Sequence, residues 1–170
     1  SCGARIEVRC SYIAFRGGEP TWDDFIEILS DQIIPFCLPR KEIIEALSGV
    51  CPQDISKSTR IIARLAGKAR SLFIRAKKGS NRSGEAGEIA LYILNEWVLK
   101  APQIVSKMYL KTNTNMPVHG TDGIHARFDS KAKKLIVYWG ESKAHKTLQS
   151  ALTSAFESIS EFVTNAHERR

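Results

Sequence analysis

Long apolar runs are missing from this sequence of 170 residues, in which 43% of the side chains are hydrophobic and 25% are charged. No stretch approaches the roughly 20 apolar residues that a membrane-spanning helix needs. The first ten residues alternate apolar and polar side chains and lack the apolar block of a signal peptide. We therefore expect a cytoplasmic, globular protein built as a single domain.

The sequence patterns of zinc sites and disulfide scaffolds are also absent. The four cysteines are widely spaced and form no Cys-x-x-Cys pair. Three histidines, His119, His125 and His145, lack the compact i, i+4 spacing of zinc ligands on a helix. We therefore expect reduced thiols and no structural zinc.

Acidic residues are missing from residues 55–83, which carry nine of the 25 basic residues. The rest of the chain holds 16 basic and all 18 acidic residues, so the formal net charge of +7 arises in this segment. A helix predicted over about residues 54–78 has an apolar stripe on one side and cations at three-to-four spacing on another.

Cations arranged in this way are typical of a surface that binds the phosphates of a nucleic acid, with few aromatic side chains for base stacking. The alternative is a solvated face that is balanced by acids elsewhere in the fold. Because no acid accompanies the nine cations, we favour nucleic-acid binding. The residues expected to make this contact are Lys57, Arg60, Arg64, Lys68, Arg75 and Lys78.

Hydrophobic periodicity predicts an α+β fold in which a strand and several helices precede a helix, three strands and a final helix. Strands are expected over residues 5–13, 104–111, 124–128 and 135–143. Helices are expected from Thr21 onward and over residues 41–47, 54–78, 84–99 and 145–166. A tight turn between the last two strands predicts a hairpin.

The strand predicted over residues 135–143 ends in two ionisable side chains. Alternation places Glu141 and Lys143 on the same face as the apolar Leu135, Val137 and Trp139, which we expect to be buried. Charged groups on a buried face are costly unless they bind something. The alternative is a solvated ion pair at an exposed strand end.

Further carboxylates lie where they can join Glu141. Asp122 precedes the neighbouring strand and approaches Glu141 if the two strands pair. A third carboxylate would come from Glu88, or alternatively Glu85, at the start of the apolar helix. Hard oxygen ligands of this kind suit Mg²⁺ or Mn²⁺. Such a site supports phosphodiester hydrolysis, in which a lysine such as Lys143 orients the water or stabilises the developing charge.

The order of these acids resembles the PD-(D/E)xK nuclease superfamily. More narrowly, the blocks GEAGEIALYIL, HGTDGIHARFD and LIVYWGESKAH resemble the HamA family, the nuclease subunits of the Hachiman antiphage defence system. The resemblance covers residues 83–162. By this resemblance Asp122 and Glu141 match metal ligands, Lys143 matches the catalytic lysine, and Glu88 or Glu85 matches the acid of the first helix. Thr121 stands where the superfamily usually has proline.

The resemblance implies a PD-(D/E)xK core over residues 83–166. The sequence patterns predict an N-terminal strand and helices (1–54) and a basic helix and loop (55–82) before this core. The resemblance further implies a Mg²⁺-dependent DNA endonuclease whose catalytic residues are Glu88, Asp122, Glu141 and Lys143. It also implies that the nuclease works with a helicase partner, HamB, and is held inactive until foreign or damaged DNA is sensed. The alternative function is a non-catalytic nucleic-acid-binding adaptor that docks a helicase.

Overall fold

A computed structural model describes residues 7–78, 84–110 and 121–168 and confirms the predicted α+β class. A short π-helical stretch, Leu94–Val98, follows the fifth helix. Among the described helices, none combines the length and apolar character needed to cross a membrane. In chain order the elements are β1 (Phe15–Arg16), β2 (Glu19–Pro20), α1 (Trp22–Asp31), α2 (Ile33–Cys37), α3 (Arg40–Leu47), α4 (Ile55–Lys78), α5 (Glu85–Ile93), β3 (Gln103–Val105), α6 (Lys107–Leu110), β4 (Gly123–Asp129), β5 (Lys134–Gly140) and α7 (Leu148–Glu168).

Strands β3, β4 and β5 form an antiparallel sheet in that order. The predicted hairpin is confirmed, because β4 and β5 pair from Gly123 opposite Gly140 to Asp129 opposite Lys134. Asp129 stabilises the turn by accepting hydrogen bonds from the backbone N–H groups of Lys131 and Ala132. The register therefore brings the start of β4 beside the end of β5.

The hydrophobic core lies between the helices. The stripe predicted on α4 is confirmed at Leu65, Ala69 and Leu72, which are buried. They belong to one cluster with residues from α2, α5 and α6, namely Phe36, Cys37, Ile89, Tyr92, Ile93 and Met108. Burial raises the pKa of the Cys37 thiol to about 12, so this thiol stays protonated at neutral pH.

Helix α5 covers the face of the sheet opposite to the one that the sequence indicated. The fully buried His125 of β4 lies against Tyr92 of α5, with ring centroids 5.7 Å apart. The expectation that Leu135, Val137 and Trp139 are buried is therefore wrong: they are 65%, 43% and 52% exposed. Alternation along β5 separates its two faces but does not determine which one a helix covers.

The first predicted strand is wrong over its described part. Residues 7–13 form no strand, and Val8 and Tyr12 are exposed. Pairing begins only at β1, which forms a two-residue ladder with β2. Since no strand of the described chain lies beside residues 7–13, their alternating pattern has no sheet to join. Residues 5 and 6 lie outside the described residues.

The strand predicted over residues 104–111 is wrong beyond Val105. The chain turns into α6 because the Ser106 hydroxyl donates a hydrogen bond to the Cys37 carbonyl at 2.8 Å, and Met108 is fully buried. Both contacts bind this segment to the helical core. Residue 111 lies outside the described residues.

The first turn of α5 packs closely on the chain that follows β5. A Cβ atom added at Gly87 would lie 2.5 Å from the Ser142 hydroxyl oxygen but 3.7 Å from Ser142 Cβ. The absence of a side chain at Gly87 thus allows the helix to approach this segment closely.

We predict that Gly87→Ala and Ser142→Ala are coupled. Gly87→Ala alone should lower the free energy of unfolding by about 1–2 kcal/mol, because the overlap outweighs the better helix propensity. In the Ser142→Ala background the same change should raise it by roughly 0.5–1 kcal/mol. A double-mutant cycle in denaturant measures this coupling, and additive effects would show that the close contact is absent.

We also predict that acid destabilises the fold through His125. Burial lowers its pKa from 6.5; its Nδ1 lies 2.9 Å from the Ala101 carbonyl, and Nε2 is buried without a hydrogen-bond partner among the described residues. Below pH 6.5 the unfolded state therefore binds more protons than the native state. The free energy of unfolding consequently decreases as the pH is lowered.

The slope attributable to His125 cannot exceed about 1.4 kcal/mol per pH unit. Urea unfolding between pH 7 and 5 should show a smaller slope for His125→Gln than for the parent chain. The exposed His145→Gln serves as the control. Equal slopes for the His125 variant and the parent would contradict this assignment.

Candidate functional site

The start of β4 and the end of β5 are joined by hydrogen bonds just outside the regular ladder. The backbone N–H of Asp122 donates to the Gly140 carbonyl at 2.8 Å. The Thr121 hydroxyl donates to the same carbonyl, also at 2.8 Å. Proline has no hydroxyl for this bond, so Thr121 strengthens the junction in a way that the usual residue could not.

The carboxylate of Asp122 is held from two sides. Its Oδ2 accepts a hydrogen bond from the backbone N–H of Ser142 at 2.9 Å. Its Oδ1 accepts one from the Lys107 ammonium at 2.6 Å. Asp122 therefore connects β4 to the segment after β5 and to the start of α6.

Lys107 brings a second carboxylate into the same site. Its Nζ lies 3.6 Å from Glu88 Oε1, and the side chains of Lys107, Glu88 and Asp122 are only 12%, 13% and 16% exposed. Glu88 on α5, the preferred acid of the predicted core, thus shares one ammonium with Asp122. Glu85, the alternative, is buried in the same turn of α5.

The sequence did not indicate Lys107 as a site residue. The alternating pattern predicted a strand across it, which would have placed its neighbours differently. Its closeness to Asp122 follows from the turn into α6, which depends on contacts with a segment 69 residues earlier in the chain. The one local sign of a site residue is the presence of a lysine between the polar Ser106 and the buried Met108.

Glu141 and Lys143 form a separate pair directly after β5. The Lys143 ammonium lies 2.8 Å from Glu141 Oε1. The strand ends at Gly140, so both residues lie past the ladder instead of on it. In the described parts of the chain, no group of three or more His, Cys, Asp or Glu side chains lies close enough together to hold a metal ion. Glu141 is thus beside the site formed by Glu88 and Asp122 without completing a three-carboxylate cluster.

The donor set of this site fits a hard divalent cation. Glu88 and Asp122 offer carboxylate oxygens, which Mg²⁺ and Mn²⁺ prefer. They already converge on a positive charge, because the Lys107 ammonium contacts both. The ammonium therefore occupies the position at which these two largely buried carboxylates attract a cation.

The basic face of α4 is only partly balanced by acids. Lys57, Arg60 and Arg64 are exposed on the helix. Lys68 forms an ion pair with Glu42 of α3, and its ammonium lies 5.5 Å from the ring centroid of Tyr109. At Lys68 the alternative of a balanced face therefore applies. The side chains of Arg75 and Lys78, which the sequence also predicts to contact DNA, lie outside the described residues.

A sequence model described as HamA matches residues 2–170. None of the curated proteins and none of the solved structures compared with the chain matches it. The match covers nearly the whole chain and includes every element around the site. The chain therefore belongs to the HamA family, which indicates a role in Hachiman antiphage defence.

Proposed function

We propose that this chain is a Mg²⁺-dependent DNA endonuclease with a PD-(D/E)xK core, acting as the effector of a Hachiman system. The observation that carries the proposal is the convergence of Glu88 from α5 and Asp122 from the start of β4 on the Lys107 ammonium. The Glu141–Lys143 pair flanks Ser142, whose N–H binds Asp122. The order of α5, β3, β4, β5 and α7 matches the helix, three strands and helix expected for such a core, with the short α6 between β3 and β4.

Each residue at the site has a defined task under this proposal. Asp122 and Glu88 would hold the metal, with Glu141 as the third ligand. A bound Mg²⁺ or Mn²⁺ would supply an acidified water and neutralise charge on the phosphate. Lys143, next to Glu141, would orient that water or stabilise the charge that develops on the phosphate oxygens. The Ser142 N–H fixes the Asp122 carboxylate in its orientation.

The basic face would hold the substrate. The exposed cations of α4 can contact successive phosphates, and residues 55–83 contain no acid. These cations are Lys57, Arg60 and Arg64. Helix α6 packs against α4 and begins with Lys107, so the cationic helix and the acidic site share a structural element. This arrangement favours backbone binding near the site of cleavage.

One observation favours a second candidate function. All three acids already have a lysine partner. Lys107 contacts Glu88 and Asp122, and Lys143 contacts Glu141. A chain with permanently neutralised acids would serve as a non-catalytic adaptor that binds nucleic acid and docks a helicase. Such an adaptor would bind DNA without cutting it, so a cleavage measurement separates the two functions.

The proposal includes a helicase partner that controls cleavage. A small nuclease without an element for reading base sequence would attack host DNA if it were unregulated. A partner that covers the basic face or the acids would suppress this attack, and movement of a helicase along DNA would relieve the suppression. Cleavage is therefore best measured with the isolated chain and again with the helicase, DNA and ATP.

We predict that Glu141→Gln and Lys143→Met each lower the rate of Mg²⁺-dependent plasmid nicking about 100-fold or more. Both remove an interaction made with the reacting phosphate or the metal and leave the core intact. Melting temperature and DNA affinity should stay close to those of the parent. Glu157→Gln and Lys146→Met, at exposed positions in the same half of the chain, serve as matched controls. Nicking at the parental rate by either site variant would favour the adaptor.

We predict that Lys57→Ala, Arg60→Ala and Arg64→Ala together weaken DNA binding irrespective of base sequence. The slope of log K against log salt should decrease by roughly 0.9 for each phosphate of duplex DNA that the variant no longer neutralises. Replacing the exposed Lys131, Lys134 and Lys146 by alanine removes the same charge as a control. Equal decreases in slope for both triple variants would remove the special role of α4.

A further inference from the structure

Lys107 is held at the site by the packing of its neighbours in the chain. The preceding Ser106 donates hydrogen bonds to the carbonyls of Phe36 and Cys37 at 3.3 and 2.8 Å. The following Met108 is fully buried in the core. The backbone on both sides of Lys107 is therefore anchored, and its side chain extends from a fixed point towards the two carboxylates.

The Lys107 ammonium contacts the two acids that the proposed function assigns to the metal. It lies 2.6 Å from Asp122 Oδ1 and 3.6 Å from Glu88 Oε1. The other oxygen of Asp122 is held by the Ser142 N–H, so Asp122 cannot turn away from Lys107 without losing that bond. One positive group thus compensates two carboxylates at a site of low exposure.

We propose that Lys107 is an internal competitor of the divalent cation, and that metal binds between Glu88 and Asp122 only when this ammonium withdraws. This inference rests on the proposed metal-dependent function. An ammonium and a divalent cation that bind the same two carboxylates would lie close together and repel each other strongly. They also require the same carboxylate oxygens. Withdrawal of Lys107 without metal would remove the positive charge that Glu88 and Asp122 share. Ammonium release and metal binding are therefore coupled.

This competition gives the site a threshold. At low metal concentration the Lys107 contacts keep Glu88 and Asp122 occupied, so the chain holds no metal there. A contact that moves α6 or its lysine would lower the threshold without touching the acids themselves. The substrate-free chain would thereby remain inactive by its own structure, in addition to any control by a partner.

Lys143 provides a charge-matched comparison within the same site. It carries the same charge as Lys107, but its ammonium pairs with Glu141 and its side chain is 28% exposed. Simple removal of a nearby positive charge would favour metal binding in variants of either lysine. Competition for ligand oxygens predicts a much larger effect at Lys107, whose ammonium contacts two of the proposed ligands, than at Lys143, whose ammonium contacts only Glu141.

The test is a Mn²⁺ titration of the full chain without DNA, in which electron paramagnetic resonance measures the free aqueous ion. Lys107→Met should bind Mn²⁺ about tenfold or more tightly than the parent, since the competing ammonium is gone. Lys143→Met should bind within about threefold of the parent, and Lys107→Arg should resemble the parent. Adding Asp122→Asn to Lys107→Met should abolish the gain. If Lys107→Met does not fold, Lys107→Gln, which can still donate a hydrogen bond to Asp122, carries the same expectation.

The outcomes separate the inference from the proposed function. Equal affinities for the parent and Lys107→Met, or equal gains for both lysine variants, would overturn the competition, while Mn²⁺ binding itself would leave the metal site standing. A gain that survives Asp122→Asn would overturn the assigned location. Failure of all variants to bind Mn²⁺, together with metal-independent nicking, would overturn both proposals.

Discussion

The carboxylate of Asp122 is the constraint on which the site depends. It bonds to the segment after β5 through Ser142 and to the start of α6 through Lys107, while its own backbone N–H bonds to Gly140. The start of α6, the start of β4 and the end of β5 thus meet at one residue. Charge-assisted hydrogen bonds of this kind are among the strongest that a folded chain makes. Replacement of Asp122 by alanine would remove both carboxylate bonds at once and leave the backbone bond to Gly140.

The packing of α5 complements this constraint. Close approach at Gly87 brings the first turn of the helix, which carries Glu88, against Ser142. On the other side, Tyr92 contacts the buried His125 of β4 and Phe36 of α2. The helix is therefore fixed between the core and the sheet. This rigid support allows two acids from different elements to share the same ammonium.

The sequence predicted the elements whose periodicity is strong and local. Helix α4, the β4–β5 hairpin and α7 follow directly from apolar spacing and turn residues, and the pairing of β4 with β5 brings Asp122 beside Ser142, within the Glu-Ser-Lys segment. The resemblance to the HamA family supplied the roles expected of these acids. Membership of the family is confirmed, whereas the catalytic roles remain predictions.

The remaining features depend on contacts between distant segments, which periodicity does not encode. The hydrogen bond from Ser106 to Cys37 turns a predicted strand into α6 and places Lys107 at the site. Because α5 covers the face of the sheet that carries His125, Trp139 on the opposite face is half exposed. The pairing of Glu141 with Lys143, by contrast, involves residues two apart and follows from the Glu-x-Lys motif itself.

The most direct test of the proposed metal centre is a crystal structure of the chain soaked with Mn²⁺ and measured for anomalous scattering. We expect an anomalous peak bound by carboxylate oxygens of Asp122 and Glu88, with the Lys107 ammonium moved away from both. A peak elsewhere on the chain would contradict this metal centre. So would an unchanged ammonium between the two acids at a Mn²⁺ concentration that supports cleavage.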